Sequence, residues 1–243
     1  MFDRQQQSIA YGTEPRQVLD LYPSPDRRHD TVVVFWYGGS WRSGSKQTYR
    51  FMGRALSSLG YTVVVPDYRL YPQAIFPAFI DDAAAAVKWV RDNLQPRRII
   101  LMGHSAGAHI ASILVLEPHY LAAVGLSLAD IAGFVGLSGP YDFTPHPDLR
   151  PVFGSAPASQ WNPVDLVTSP QAVPLMLVHG RRDHIVKLSN LYTLQKAVTT
   201  AGGRVETQIY PWFGHFTILL PFITRFVIAR SMKVRLQGFI DSL

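Results

Sequence analysis

Cysteine is absent from the 243-residue chain, which excludes disulfides, thiolate metal sites and a cysteine nucleophile. Charge is sparse: charged residues make up 16% of the chain against 47% apolar ones, a globular balance far from that of disordered chains. The net charge of +6 comes without any long basic run. Lysines and arginines occur in small groups (Arg27–Arg28, Arg97–Arg98, Arg181–Arg182), so a nucleic-acid partner is not expected. The dense stretch from Arg225 to Arg235 sets Arg225, Arg230, Lys233 and Arg235 among apolar residues. It reads as a helix's solvated face, with a polyanion or membrane-surface role as the alternative.

Long hydrophobic runs are missing as well. The longest, Phe216 to Ala229, is broken by Pro221 and Arg225 and is too short to span a bilayer. Met1 to Gln7 offers no apolar core for a signal peptide. A cytoplasmic protein without stable membrane insertion is the default expectation. Repeats and low-complexity tracts are lacking, and the 18 glycines and 18 prolines are scattered as loop punctuation. A single domain over 1–243 is predicted.

What the chain does contain is alternation. Thr31–Tyr37, Tyr61–Pro66, Arg98–Met102, Gly133–Ser138 and Pro174–His179 are short, apolar and rich in β-branched residues, which suits strands buried on both faces. Val205–Tyr210 alternates more, as nearer an edge. Helical stretches lie between them at Thr48–Leu59, Phe79–Leu94, Ala106–Leu116 and Ser189–Ala201, with a last one after His215. Asp81 and Asp82 stand in the first turn of Phe79–Leu94, where the helix dipole favours negative charge. Strands alternating with helices build βαβ units and a mostly parallel sheet covered on both faces, an α/β fold. Ligands of such sheets bind beyond the carboxyl ends of the strands.

Gly103-His104-Ser105-Ala106-Gly107 follows one predicted strand and opens one predicted helix. This is G-x-S-x-G in a strand–turn–helix setting, in which a sharp turn presents the serine and neighbouring side chains would collide. The helix N-terminus favours the negative charge that develops in acyl transfer. Ser105 is the candidate nucleophile, and a serine hydroxyl needs a base to take its proton. Partners in the order acid, then histidine are supplied by Asp183, after the strand ending near Gly180, and by His215, on the loop Pro211–Phe216. Asp183 also reads as a surface ion-pair residue, and Asp142 is the rival acid. His104 and His109 read as groups packed beside the nucleophile. Backbone N–H groups of Gly38, Gly39 and Ala106 are the candidates for an oxyanion hole; an ordinary Gly-Gly turn is the plainer reading of the first two. This chemistry calls for no metal and no cofactor.

Together these residues resemble the carboxylesterase branch of the α/β hydrolases that includes the hormone-sensitive-lipase-like and feruloyl-esterase-like families and is related to kynurenine formamidases. The likeness runs from about Val32 to His215. Tyr37-Gly38-Gly39-Ser40-Trp41, with Gly44 and Lys46, is similar to the His-Gly-Gly-x-Trp loop; Asp67-Tyr68-Arg69-Leu70, with Pro72 and Phe76-Pro77, to the D-Y-R-L stretch; Gly180, Asp183 and Val186 to the acid loop. Tyr37 departs from the family's histidine and has to anchor the oxyanion loop through its hydroxyl or ring, which leaves open whether Gly38, Gly39 or Ser40 donates. The resemblance implies an α/β-hydrolase fold and cap elements near 1–28 and 141–172. The second of these is short and carries Phe143, Phe153 and Trp161; as a group with Trp41, Trp212, Phe213 and Phe216 they are expected to line a compact apolar pocket, with Trp41 and Phe216 as its substrate-facing residues, whereas each aromatic taken singly reads as core packing.

The expected activity is a serine esterase on short-chain acyl or aryl esters, working through an acyl-enzyme. The alternatives are an arylformamidase and, further off, a peptidase or a non-catalytic ligand receptor. The expected partner is a small-molecule ester; a homodimer is left open.

Overall fold

A computed structural model of the chain describes residues 7–24, 30–168, 170, 172–224 and 227–243. The five apolar runs become β3 (Thr31–Trp36), β4 (Thr62–Pro66), β5 (Arg98–His104), β6 (Gly133–Leu137) and β7 (Leu175–Gly180), buried at nearly every position. The alternating run is β8 (Val205–Tyr210), half-buried throughout, at the end of the sheet. These six strands pair in parallel. The full order is β1-β2-β4-β3-β5-β6-β7-β8.

The first two strands, β1 (Gln7–Ala10) and β2 (Val18–Tyr22), were not expected. They form an antiparallel hairpin that adds to β4. Much of the segment expected to belong to a cap, 1–28, is thus a sheet edge, the rest of it being residues 11–17 and 23–24 beside the hairpin and 1–6 and 25–28, outside the described residues. The hairpin is hard to read in sequence because Ser8 and Asp20 interrupt its apolar pattern, and both are tied to the buried Lys46 ammonium.

Helices α1 (Arg50–Ser57), α2 (Ala78–Leu94), α3 (Ala106–Leu116) and α6 (Ser189–Thr200) are close to the predicted spans. Short α4 (His119–Ala123) follows α3, α5 (Ala158–Trp161) lies between β6 and β7, α7 (Leu220–Ile223) comes after β8, and α8 (Val227–Asp241) closes the chain. Met232, Leu236, Phe239 and Ile240 of α8 are buried while Arg230 and Arg235 are exposed, the amphipathic pattern expected of the basic tail; Arg225 lies outside the described residues. Asp82 of α2 has a larger task than its dipole: fully buried, it takes a bidentate contact from Arg69. No helix among the described residues is long and apolar enough to cross a membrane.

Candidate active site

The loops at the carboxyl ends of β3, β5, β7 and β8 converge. Between β5 and α3 the chain turns at Ser105, whose φ of 54° and ψ of −123° lie in a region few non-glycine residues occupy. A Cβ on Gly107 would come within 2.1 Å of the Trp36 carbonyl oxygen, and one on Gly103 within 2.3 Å of Gly107. The turn can form with glycine at both places. It leaves the Ser105 hydroxyl half-exposed at the start of α3.

His215 Nε2 lies 2.9 Å from Ser105 Oγ, and His215 Nδ1 lies 2.8 Å from Asp183 Oδ2. Asp183 Oδ1 accepts the N–H groups of Ile185 and Val186 at 3.0 and 2.9 Å. Burial pushes the Asp183 carboxyl up, but the hydrogen bond from His215, the Val186 N–H and the two nearby imidazoles outweigh it, so the group is held below the usual carboxylate range. Asp142, the rival acid, is exposed and lines a cleft; the acid hydrogen-bonded to His215 is Asp183. The chain Ser105–His215–Asp183 can pass a proton from the hydroxyl to the imidazole and stabilise the resulting cation.

Two further histidines enclose this chain. His104 is fully buried, with Nε2 at 2.9 Å from the His215 carbonyl and Nδ1 at 2.9 Å from the Tyr49 hydroxyl. A carbonyl can only accept, so Nε2 carries the proton and Nδ1 accepts from Tyr49. Burial and the neighbouring His215 ring lower the His104 pKa to about 3, which keeps it neutral. His179 spans the acid turn, donating from Nε2 to the Val186 carbonyl at 3.0 Å, and burial lowers its pKa too. The His179 role carries no sequence signal beyond a polar residue in an apolar strand. His109, also lowered to about 3 by burial, donates to the Trp161 carbonyl at 2.7 Å and so ties α5 to α3.

The loop after β3 passes close over the serine, with the place of a Cβ on Gly38 2.8 Å from Ser105 Cβ. Tyr37 anchors its start. The hydroxyl donates to Asp67 Oδ1 at 2.8 Å and accepts from Arg16 at 2.8 Å, and the ring stacks on Tyr68 at 4.7 Å. Asp67 Oδ1 also accepts the Lys46 N–H at 2.7 Å, so one carboxylate holds both ends of the loop. Lys46 in turn reaches Asp20 of β2, a pair buried from solvent. The D-Y-R-L stretch is thus a brace for the glycine loop. Among the described residues, the N–H groups of Gly39 and Ala106 donate to no protein acceptor.

Two clefts meet at Ser105. One, of about 550 Å³, has Trp41, Phe143, Ala106 and Asp142 in its walls. The other, of about 820 Å³, is bounded by Gly39, Tyr49, His215 and Phe216. Ile185, Leu149 and His146 line both, and none of them carried a sequence signal. The expected group of pocket aromatics divides. Trp41 and Phe143 stack at 5.8 Å as a wall; Phe153 and Trp161 pack behind them in the core. Trp212 is exposed beneath the Arg182 guanidinium, and Phe213 packs on Tyr210; neither lines either of these two clefts. Asn190, also unforeseen, fixes the lip of the smaller cleft by accepting the N–H groups of Tyr141 and Asp142, both at 2.8 Å.

The family model BD-FAE matches residues 19–198. The chain belongs to the BD-FAE family. Isoprenylcysteine alpha-carbonyl methylesterase ICME of Arabidopsis thaliana is 31% identical to this BD-FAE member over 242 residues, covering 88% of this chain and 57% of the relative. Esterase LipQ of Mycobacterium tuberculosis is 29% identical over 229 residues, 82% of this chain and 53% of its own. The chain spans little more than half the length of these relatives. Among solved structures, apo Thermogutta terrifontis esterase 2 superposes with a TM-score of 0.80 at 21% identity, covering 98% of this chain and 94% of that one. A truncated carbohydrate esterase from gut microbiota gives 0.79 at 18% identity, covering 95% and 94%. The BD-FAE chain has the α/β-hydrolase fold.

Proposed function

We propose that the protein is a serine carboxylesterase acting on small esters, with Ser105 as nucleophile, His215 as base and Asp183 as the acid that orients it. The observation that carries this reading is the hydrogen-bonded run from Ser105 Oγ through both nitrogens of His215 to Asp183. Ser105 Oγ bonds to the ester carbonyl carbon as its proton passes to His215 Nε2. The carbonyl oxygen, now negative, accepts from the N–H groups of Gly39 and Ala106. Gly38 and Ser40 are the other candidate donors on this loop. His215 then returns the proton to the departing alcohol, leaving an acyl-Ser105 ester. Water attacks that ester with His215 again as base, releasing the acid and restoring the hydroxyl.

Because His215 must reach the leaving oxygen, the alcohol belongs in the cleft bounded by His215 and Phe216 and the acyl group in the one walled by Trp41. The relatives' esterase names support the reaction class, and ICME adds a prenylcysteine methyl ester to the substrates worth testing.

The test is a panel of p-nitrophenyl esters of increasing acyl length, with a prenylcysteine methyl ester and N-formylkynurenine beside them, and mass spectrometry of the protein after an organophosphonate. Ester turnover with the phosphonyl adduct on Ser105 is expected. Cleavage of the formamide alone, or an adduct on another residue, overturns the reading.

A further inference from the structure

The helical turns after His215 show the wrong polarity to water. Thr217–Leu219 runs directly into α7. Ile218, Leu219, Pro221 and Phe222 face the core, and the outward positions, four and seven residues on from Phe216, are Leu220 and Ile223. Phe216, Leu220 and Ile223 are 65%, 42% and 59% exposed, on a face that in a solvated helix is normally polar.

This face is continuous with the cleft mouth. Phe216 and Ile185, the latter 62% exposed, line the same cleft. On the other side, Gly214 N–H donates to Thr217 Oγ1 at 2.7 Å and Arg182 N–H to the Phe213 carbonyl at 2.9 Å. That contact sets the acid loop against the histidine loop, with the Arg182 guanidinium 4.8 Å from the ring centre of Trp212, itself 66% exposed. Scattered exposed apolar residues are ordinary; large ones gathered around one opening are not.

Charge says what covers them. Among the described residues neither of the exposed Arg181 and Arg182 has an acidic partner within ion-pair distance. Aliphatic and aromatic side chains flanked by unpaired guanidiniums match the layered chemistry of an anionic lipid surface. The rings and branched chains enter the acyl boundary, an indole rests at headgroup depth, and the cations meet phosphate.

We propose that the rim formed by Phe216, Leu220, Ile223, Trp212 and Arg182 docks the protein peripherally on anionic bilayers, with the cleft mouth turned toward the lipid. The proposal is independent of the esterase reading, because binding is measured without turnover.

The experiment is vesicle flotation of the full chain with phosphatidylcholine alone and with added phosphatidylglycerol. Binding is expected at least about tenfold tighter to the anionic vesicles, weakening as salt is raised. Leu220→Asp with Ile223→Asp should lose at least about tenfold in affinity, and Arg182→Glu about fivefold. Far-UV circular dichroism and thermal melting report folding of these variants, and the paired serine substitutions replace the aspartates if those do not fold. Brominated lipid should quench the tryptophan fluorescence of the wild type, and Trp212→Phe should remove that quenching. No vesicle binding, equal binding to neutral and anionic vesicles, or unchanged binding by the double variant overturns the proposal. So does a rim that instead mediates self-association abolished by the same substitutions.

Discussion

The imidazole of His104 holds the main chain of His215 in place, donating its Nε2–H to the His215 carbonyl at 2.9 Å. Because Tyr49 supplies the proton that His104 Nδ1 accepts, hydroxyl, imidazole and carbonyl form one fixed series behind the site. Displacing a reacting group by about 1 Å can cost about a hundredfold in rate. Tyr49→Phe should therefore lower kcat by about tenfold with little change in KM. His104→Gln, which keeps an N–H donor, should retain far more activity than His104→Leu. Equal kcat losses in the glutamine and leucine variants would show that His104 fills space and does not position the base.

The same burial makes the protein acid-sensitive. His104 and His109 have folded pKa values lowered to about 3, whereas an unfolded histidine titrates at about 6.5. Between those limits the unfolded state binds more protons, so stability is complete above about 6.5 and falls as pH is lowered. Each histidine should contribute a loss of about 1 kcal/mol from pH 6.5 to 5.5. Urea unfolding of the wild type against His109→Gln across that range measures it; parallel pH slopes for the two proteins would contradict the assignment.

Removing the proposed nucleophile should abolish turnover without unfolding the chain. Ser105 projects from a turn, so Ser105→Ala opens no core cavity, and ester hydrolysis should fall by at least about 10⁴-fold with melting unchanged. Asp183→Asn should lower kcat by about 10³- to 10⁴-fold with KM nearly unchanged, since the carboxylate acts on the cation formed in the transition state. Asp142→Asn is expected to leave kcat within about threefold. A crippling Asp142 substitution beside a nearly silent Asp183 one would reverse the roles.

Much of this site is legible in the sequence. G-x-S-x-G fixes its own geometry, since Gly103 and Gly107 are demanded by backbone atoms within 2.3 Å of where side chains would be. Asp183 and His215, picked out by chain order on consecutive loops, are the pair hydrogen-bonded beside Ser105. The hairpin β1–β2 was illegible because the ion pair of Asp20 with Lys46 is long-range and breaks the strand's alternation locally. His179 and Asn190 were missed for the same reason: each acts on backbone groups brought near by folding, 7 and 48 or more residues away in the chain. Aromatic content indicated a pocket but not its lining, because the pattern does not tell a wall such as Trp41 from the packing behind it.

Tyr37 replaces the family's histidine with a different brace, and that brace is testable. Its hydroxyl joins Arg16 to Asp67, and Asp67 holds the far end of the loop through Lys46 N–H. Tyr37→Phe leaves a buried carboxylate and a guanidinium short of a partner, at a cost of about 1–3 kcal/mol. If the loop carries the oxyanion donor, kcat should also fall by about ten- to a hundredfold at constant KM. Tyr37→His should recover part of kcat. A loss of stability with kcat intact would confine Tyr37 to the core.

Acyl length should be set by Trp41. The ring is 3% exposed and stands in the wall of the smaller cleft, stacked on Phe143 and edge-on to Phe153 and His109. Each further methylene of an acyl chain gains about 0.8 kcal/mol while there is apolar surface to receive it. Beyond the wall, a longer chain must displace packed rings or remain in water. In the wild type kcat/KM is expected to peak between acetyl and hexanoyl esters and to fall steeply by decanoyl. Trp41→Ala should extend the cleft and move the optimum outward by about two to four methylenes, while costing about 3–5 kcal/mol of stability because the rings packed on it lose their contact. The profile is read from p-nitrophenyl esters below their aggregation limits. A wild-type rate that climbs through dodecanoyl, or a Trp41→Ala variant that is destabilised with its optimum unmoved, would place the end of the acyl site elsewhere than at this ring.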